Sequence, residues 1–382
     1  VKEKPLVEGG VARTADVIII GGGVIGCSIA YYLARSGTTR IVVLERGKVG
    51  SEASWASAGM LAPQAEGPGP GPFLDLCLKG KELFRPLSEE LKERAGIDIE
   101  YLTWGVLSLI EEGGEEEAEA RRAWQAKLGL RVERLSPKEV KGLEPGVKQG
   151  IAGALFFPDD HHVDNRELVR ALSEACRSSG VTFLEGTPAV GFILDNEAVQ
   201  GVTTPKGVIL GKVVVLAAGC WSAELLAPLG RRLPVKPARG QIVYTELPNL
   251  PLRHVVWGRE GYIVPRLNGG LLIGSTVEFV GFDKGVTLEG VRRLTAMAVD
   301  LVPGLSDRPF ITAWAGLRPH SPDALPLIGP LPGIEGLLVA TGHFRNGILL
   351  GPLTGKLMAE LIVEGKPSFP LEAFSPARFD RS

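Results

Sequence analysis

The chain has little cysteine: Cys27, Cys77, Cys176 and Cys220 are its only four, far apart and with no CxxC pair. That excludes a disulfide scaffold and a zinc knuckle, and it suits buried thiols in a reducing compartment, with the cytoplasm as the expected location. An excess of charge of one sign is also missing, since 42 basic residues stand against 44 acidic ones and the basic clusters are short. Nucleic acid and anionic membrane surfaces are thereby excluded as partners. Long hydrophobic runs are missing too. The longest apolar stretch, Val17 to Ala34, is broken by four glycines, so no segment reads as a membrane span.

What is present begins with size: 382 residues with 45% apolar content can bury a large core and suggest two to three domains. Near the start, Ala15-Asp-Val-Ile-Ile-Ile-Gly-Gly-Gly-Val-Ile-Gly26 has the spacing of a dinucleotide cradle. Val17 to Ile20 predicts a strand. Gly21 permits the tight turn after it, Gly23 lets a pyrophosphate approach the backbone, and Gly26 lets the next helix pack against the strand. Ser28 to Arg35 reads as that helix, stopped by Gly37, and its free N–H groups face the phosphates. A second strand, Ile41 to Leu44, ends at Glu45, about 20 residues past the glycines, where a ribose-binding carboxylate belongs. The acid argues against NADP. No second GxGxxG follows a strand, which disfavours a reductase holding two dinucleotides and leaves one large dinucleotide.

Residues 1–14 show no periodicity and are expected to form a flexible tail. Ser51 to Ala62 is rich in small residues, and Glu66 to Pro72 reads as loop. Helical periodicity over Phe73 to Ala95 gives way to an alternating run, Tyr101 to Ile110, and then to an acidic stretch, Glu111 to Glu119, that reads as a turn and a solvated helix face. Asp159, Asp160, His161 and His162 look metal-like, but neighbouring residues on an extended chain point opposite ways, and no metal is expected. Asn165 to Ser178 reads as a helix capped by Asp164, and Val181–Leu184 and Lys212–Gly219 as strands that resume the nucleotide-type layer. From Arg239 to Thr276 short alternating runs, Gln241–Thr245, His254–Trp257, Tyr262–Pro265 and Leu271–Gly274, predict an antiparallel sheet. Val286 to Leu301 reads as helix, Phe310 to Arg318 as extended, Gly336 to Gly342 as a buried strand, and Leu349 to Glu364 as the last helix. The fold class is therefore α/β: a Rossmann-like nucleotide domain interleaved with an α+β substrate domain on a mostly antiparallel sheet. The expected division gives 15–85, 150–230 and 311–382 to the first and 86–149 and 231–310 to the second.

The cradle with Glu45, Ser54-Trp-Ala-Ser-Ala-Gly-Met60, Trp314-Ala-Gly-Leu-Arg-Pro319 and Gly342-His-Phe-Arg-Asn-Gly-Ile-Leu-Leu-Gly351 together resemble the D-amino-acid-oxidase superfamily of FAD-dependent oxidoreductases. Within it the resemblance is to glycine oxidases of the thiamine-biosynthesis type, and it runs from Ala15 to the C-terminus. It implies FAD, held non-covalently, because no cysteine falls in the motifs near Arg318 or Gly342. It also implies that Val24 and Ile25 meet the FAD pyrophosphate beside Gly21, Gly23 and Gly26, and that Glu45 meets the adenosine ribose with Arg46 next to it. Ala189 would meet the adenine side through its backbone, and Ala53, Ser54, Ala58, Gly59 and Met60 would line the flavin. The loop of Gly342, His343, Phe344, Arg345, Asn346, Gly347, Ile348 and Leu349 would lie against the ring, its following helix aiming an N-terminus at flavin N1 and C2=O.

For the substrate, the resemblance implies Arg318, whose planar guanidinium holds a carboxylate bidentately, with Tyr262 as a phenolic donor and Arg345 nearby. No catalytic base is evident, and His343 reads as structural. The expected reaction is oxidative deamination of a small amino acid, glycine or else sarcosine or a small D-amino acid, to the imine by hydride transfer to flavin N5, with O2 reduced to H2O2. Two rivals are a D-amino-acid dehydrogenase feeding a quinone and a non-catalytic FAD-binding module. The family implies a homo-oligomer, often a tetramer. Arg259-Glu260-Gly261 before Tyr262, and Val277, depart from the family's pattern and put glycine itself in doubt.

Overall fold

The structure, a computed structural model, describes residues 14–67, 69–246 and 252–380. The expected tail, residues 1–14, lies outside the described residues except for Thr14, which bridges to Leu210.

Val17–Ile20, Ile41–Leu44 and Val214–Leu216 are apolar throughout, Leu337–Thr341 is apolar up to its last residue, and all four are buried at every position, the pattern of parallel strands covered on both faces. They form a six-stranded sheet in the order Leu327–Pro330, Leu337–Thr341, Val214–Leu216, Val17–Ile20, Ile41–Leu44, Thr182–Leu184. All neighbours run parallel except the first pair. One face, carrying Ile19, Val43 and Val215, packs on the helices Val24–Arg35, Asn165–Ser178 and Gly347–Glu364. The other, carrying Ile18, Ile20 and Val42, packs on a three-stranded antiparallel sheet that spans Gly191 to Leu210. The strand after Val17–Ile20 lies to one side of it, while Val214–Leu216 lies to the other. That reversal opens a crevice at the strands' C-terminal ends, the place where α/β sheets bind ligands.

The second layer is an eight-stranded sheet, ordered Thr312–His320, Lys236–Glu246, Gly270–Gly274, Tyr262–Pro265, Val255–Trp257, Val106–Ile110, Gly153–Phe157, Glu133–Leu135. Its pairs are antiparallel apart from Val255–Trp257 with Val106–Ile110. Helix Leu288–Leu301 covers one face, and the opposite face, with Ile242, Tyr262 and Val264, turns toward the first sheet's loops. Two segments that the sequence assigned to the nucleotide domain, Gly153–Phe157 and Thr312–His320, belong to this sheet. The reason is pairing: Thr312–His320 matches Lys236–Tyr244 in register over its whole length, and a strand's own pattern does not name its partner. The 73–95 helix is two helices, Pro72–Glu82 and Phe84–Ala95, and the 101–110 strand starts only at Val106, after Gly105 in the left-handed region.

Asp164 caps helix Asn165–Ser178 as expected, its Oδ1 accepting from the N–H groups of Arg166 at 2.8 Å and Glu167 at 3.0 Å. The last helix, Gly347–Glu364, crosses the cradle helix so closely that a Cβ on Gly355 would lie 2.5 Å from the backbone carbonyl carbon of Ser28.

Candidate active site

A cavity of about 410 Å³ occupies the crevice where the two layers meet. Of the residues singled out in the sequence, Gly21, Gly23, Val24, Ile25, Glu45, Arg46, Ala53, Ser54, Ala58, Gly59, Met60 and Ala189 line it. So do Tyr262, Arg318, His343, Phe344, Arg345, Gly347 and Ile348. Gly26, Gly342, Asn346 and Leu349 stand behind the lining. A Cβ on Gly26 would meet the Gly21 carbonyl oxygen at 1.9 Å, one on Gly342 would meet Leu327 at 2.6 Å, and Leu349 is buried in the core. Asn346 is the residue that precedes the last helix.

Gly21 has φ +113°, and a Cβ there would lie 2.3 Å from the carbonyl oxygen of Ala217, which follows the neighbouring strand. Only glycine makes this turn. Helix Val24–Arg35 starts at Gly23 with no side chain from its own N-cap, and the Val24 N–H donates to Ser54 Oγ at 2.9 Å. The Glu45 carboxylate accepts from Gly22 N–H at 2.8 Å and Gly47 N–H at 2.7 Å, which aims it at the crevice and leaves lone pairs for a ribose. Beside it Arg46 lies 3.5 Å over the ring of Trp221 and pairs with Glu52 at 2.7 Å. A bare helix N-terminus, a close backbone approach at glycine and an acid at the next strand's end fit a dinucleotide such as FAD. None of the four cysteines lines the cavity.

The segment from Ala53 to Met60 is held by two residues that sequence reasoning missed. Asn165 Nδ2 donates to Ser54 O at 2.7 Å and Trp55 O at 3.1 Å, and Arg266 donates to Ala58 O at 3.1 Å, Asn165 Oδ1 at 2.9 Å and Val163 O at 2.6 Å. Burial pushes the Arg266 guanidinium below its usual value, with Asp164 and Glu100 opposing the shift. No local pattern marks either residue, because their partners are distant backbone carbonyls.

Tyr262, Arg318 and Arg345 come together at the same cavity. Arg318 Nη1 donates to Thr276 O at 3.0 Å and Nη2 to Ser275 Oγ at 2.7 Å, and among the described residues no carboxylate lies within ion-pair range of it. Burial lowers its pKa, with the neighbouring Tyr262 opposing and the Arg345 charge adding to the shift. Arg345 does have an acid, Glu66, which the sequence reading did not pick out. Burial acts against the Arg345 charge, and Glu66 and Tyr262 outweigh it, so its pKa stands above the usual value. Two cations therefore share one anion here, leaving a net positive wall suited to a carboxylate.

His343 is buried, its Nε2 lies 3.0 Å from Thr354 Oγ1, and burial pushes its pKa down to about 3, so the ring is neutral and tied to the helix behind it. The neighbours under suspicion before Tyr262 are elsewhere. Arg259 and Glu260 are exposed and stand outside the lining because Gly258 and Gly261 close a hairpin turn that projects them into solvent. Val277, 43% exposed, is also outside the lining. The adjacent histidines point apart: His161 Nδ1 lies 2.6 Å from the Tyr101 hydroxyl and His162 Nε2 lies 3.1 Å from Pro265 O.

Residues 16–361 match the DAO family, described as FAD dependent oxidoreductase. The chain is 38% identical to the glycine oxidase of Geobacillus kaustophilus over 367 residues, covering 95% of this chain and 97% of that protein. It is 37% identical to the bifunctional protein ThiO/ThiG of Synechocystis sp. over 96% of its own length and 54% of that protein's, so it spans about half of that relative. The crystal structure of glycine oxidase from Geobacillus kaustophilus superposes with a TM-score of 0.92 at 36% identity, covering 96% of this chain and 99% of that one.

Proposed function

The chain belongs to the DAO family of FAD-dependent oxidoreductases, and from that premise we propose that it oxidises the amine of a small amino acid, glycine first, to the imine. Bound FAD supplies the two-electron acceptor for this chemistry. The observation that carries the substrate class is Arg318, a half-buried guanidinium on the cavity wall with no carboxylate partner among the described residues. It takes the substrate carboxylate through its planar fork, and the Tyr262 phenol donates beside it. Arg345, neutralised by Glu66, leaves that role to Arg318. With the carboxylate fixed, the walls position the α-carbon, and orientation does the work that a general base does elsewhere. His343 takes no proton at neutral pH, since its pKa is near 3. The amine reacts as the neutral base: its lone pair forms the C=N bond as the α-hydrogen leaves with its electron pair. The nitrogen's extra proton goes to water, and water then hydrolyses the imine.

We assign FAD binding to the cradle, the 53–60 segment and the 342–349 loop, with non-covalent attachment, and molecular oxygen as the final acceptor, giving peroxide. The relatives named glycine oxidase support oxygen. The test is to supply purified, flavin-loaded protein with glycine, sarcosine and D-alanine in turn while recording oxygen uptake and peroxide. Stoichiometric peroxide with glycine supports the reading. Reduction of a quinone or dye without oxygen uptake makes the protein a D-amino-acid dehydrogenase instead, and no turnover with any of the three refutes the substrate class.

A further inference from the structure

We propose that Ser275 is a positioning residue that locks Arg318 and Tyr262 into a single carboxylate-binding unit; the inference rests on the reading of those two side chains as the substrate's carboxylate donors. Arg318 and Tyr262 lie on strands kept apart in the eight-stranded sheet by Lys236–Glu246 and Gly270–Gly274. The sheet ladder therefore does not fix one side chain against the other. Ser275, just past the end of Gly270–Gly274, does so. Its Oγ accepts from Arg318 Nη2 at 2.7 Å and from the Tyr262 hydroxyl at 3.2 Å; a bound carboxylate takes the single phenol proton as its hydrogen bond, and the Ser275 O–H then turns to donate to the Tyr262 oxygen. One hydroxyl is thus tied to side chains from two strands, as acceptor to Arg318 and as donor or acceptor to Tyr262.

The rest of the guanidinium is constrained from other sides. Nη1 donates to Thr276 O at 3.0 Å, and the group lies against Gly240, where a Cβ would sit 2.0 Å from Nη1 and 2.2 Å from Nη2. Of the five N–H donors that a guanidinium carries, these anchors engage two among the described residues and the neighbouring Tyr262 oxygen draws on the same group, which leaves donors for a ligand. Ser275 itself is not among the cavity-lining residues, so it acts through Arg318 and Tyr262 and not on the substrate. Removing its hydroxyl leaves Arg318 with the Thr276 carbonyl as anchor and leaves Tyr262 with nothing but Arg318 itself, among the described residues, to orient its phenol. The ordering of both side chains is then deferred to the binding step, which weakens carboxylate capture.

The test uses the flavin-loaded protein with Ser275→Ala and Ser275→Thr, and two readouts. One is the Kd of acetate, a carboxylate that cannot be oxidised, from its perturbation of the visible flavin spectrum. The other is the split between KM and kcat for glycine. Ser275→Ala is expected to weaken acetate and raise the glycine KM by about tenfold each, with kcat changed much less, and Ser275→Thr, which keeps the hydroxyl, to stay within about twofold of wild type. If Ser275→Ala does not retain flavin, Ser275→Cys, whose thiol is only a weak acceptor, replaces it with the same expectations. Acetate Kd and glycine KM unchanged in the alanine variant overturn the inference, as does a fall in kcat alone with acetate binding intact. A wild-type flavin that neither shifts with acetate nor bleaches with glycine overturns the reading of the Arg318 site, and the inference with it.

Discussion

Among the described residues the charge balance at Arg318 is set by its own guanidinium, Arg345, and the acid Glu66 that Arg345 has taken. Arg318→Ala should therefore raise the glycine KM by the equivalent of about 2–5 kcal/mol while FAD stays bound, because the cost falls on a charged partner and not on the cradle. Arg318→Lys should recover little, since a point charge does not reproduce a bidentate fork. Steady-state kinetics with a parallel flavin assay reads both variants, and an unchanged KM removes Arg318 from the substrate. Asp160 makes a second prediction. It is fully buried and accepts from Gln64 N–H at 3.2 Å and Ala65 N–H at 2.6 Å, which fixes the short helix that carries Glu66. Burial pushes its carboxyl up to about 7, against the pull of those N–H groups, Lys81 and Arg121. The folded chain thus keeps a proton that the unfolded chain loses near 3.8, so the stability this group contributes is complete below that value and is lost as pH rises through about 7. Compared with the non-titrating Asp160→Asn in thermal melts, the wild type should lose relative stability from about pH 4 to about pH 7. A relative gain across that window contradicts the assignment.

Among the elements, the contact that matters most for the cofactor is the crossing of Gly347–Glu364 on Val24–Arg35. Gly351 and Gly355 make it close: a Cβ on Gly351 would lie 2.9 Å from Val24 Cγ2, and one on Gly355 would run into the Ser28 backbone. Gly355→Ala should cost about 1–3 kcal/mol by overpacking, and because it displaces the helix whose N-terminus faces the cavity it should weaken FAD binding as well. A melt combined with a flavin-fluorescence titration checks this, and full FAD affinity in the variant would separate the crossing from the cradle. Elements with a strong local pattern were legible in the sequence: Val17–Ile20, Tyr262–Pro265 and the Asp164-capped helix stand where their residues predict. Arg318, in the Trp314–Pro319 motif, and Tyr262, at a matching pocket position, were singled out through the resemblance, and both line the cavity. Asn165, Arg266, Glu66 and Ser275 were not, because each acts on a partner far along the chain and leaves no periodic trace. Glu260 and Val277 were singled out as departures from the family's pattern, and both stand outside the cavity lining, Glu260 because the Gly258–Gly261 turn projects it into solvent.

For the whole molecule, the cavity exists only where the six-stranded and eight-stranded sheets meet, so each layer supplies half of one site: the cradle from the first, Tyr262 and Arg318 from the second. FAD bound across that boundary should stabilise both layers. At a free FAD concentration about 1,000 times its Kd the gain is about 4 kcal/mol, and it should appear as a single cooperative melt at higher temperature than that of the flavin-free protein. Equal melting temperatures with and without FAD would contradict a cofactor built into the join between layers. The central claim is that the Arg318 wall presents a small amino acid to FAD for oxidation. The most direct measurement is an anaerobic titration of the yellow, flavin-loaded protein with glycine, followed by its visible absorption. The account predicts that glycine bleaches the flavin in the wild type and fails to do so at the same concentrations in Arg318→Ala. A flavin that stays oxidised in the wild type, or that bleaches equally well without Arg318, would contradict it.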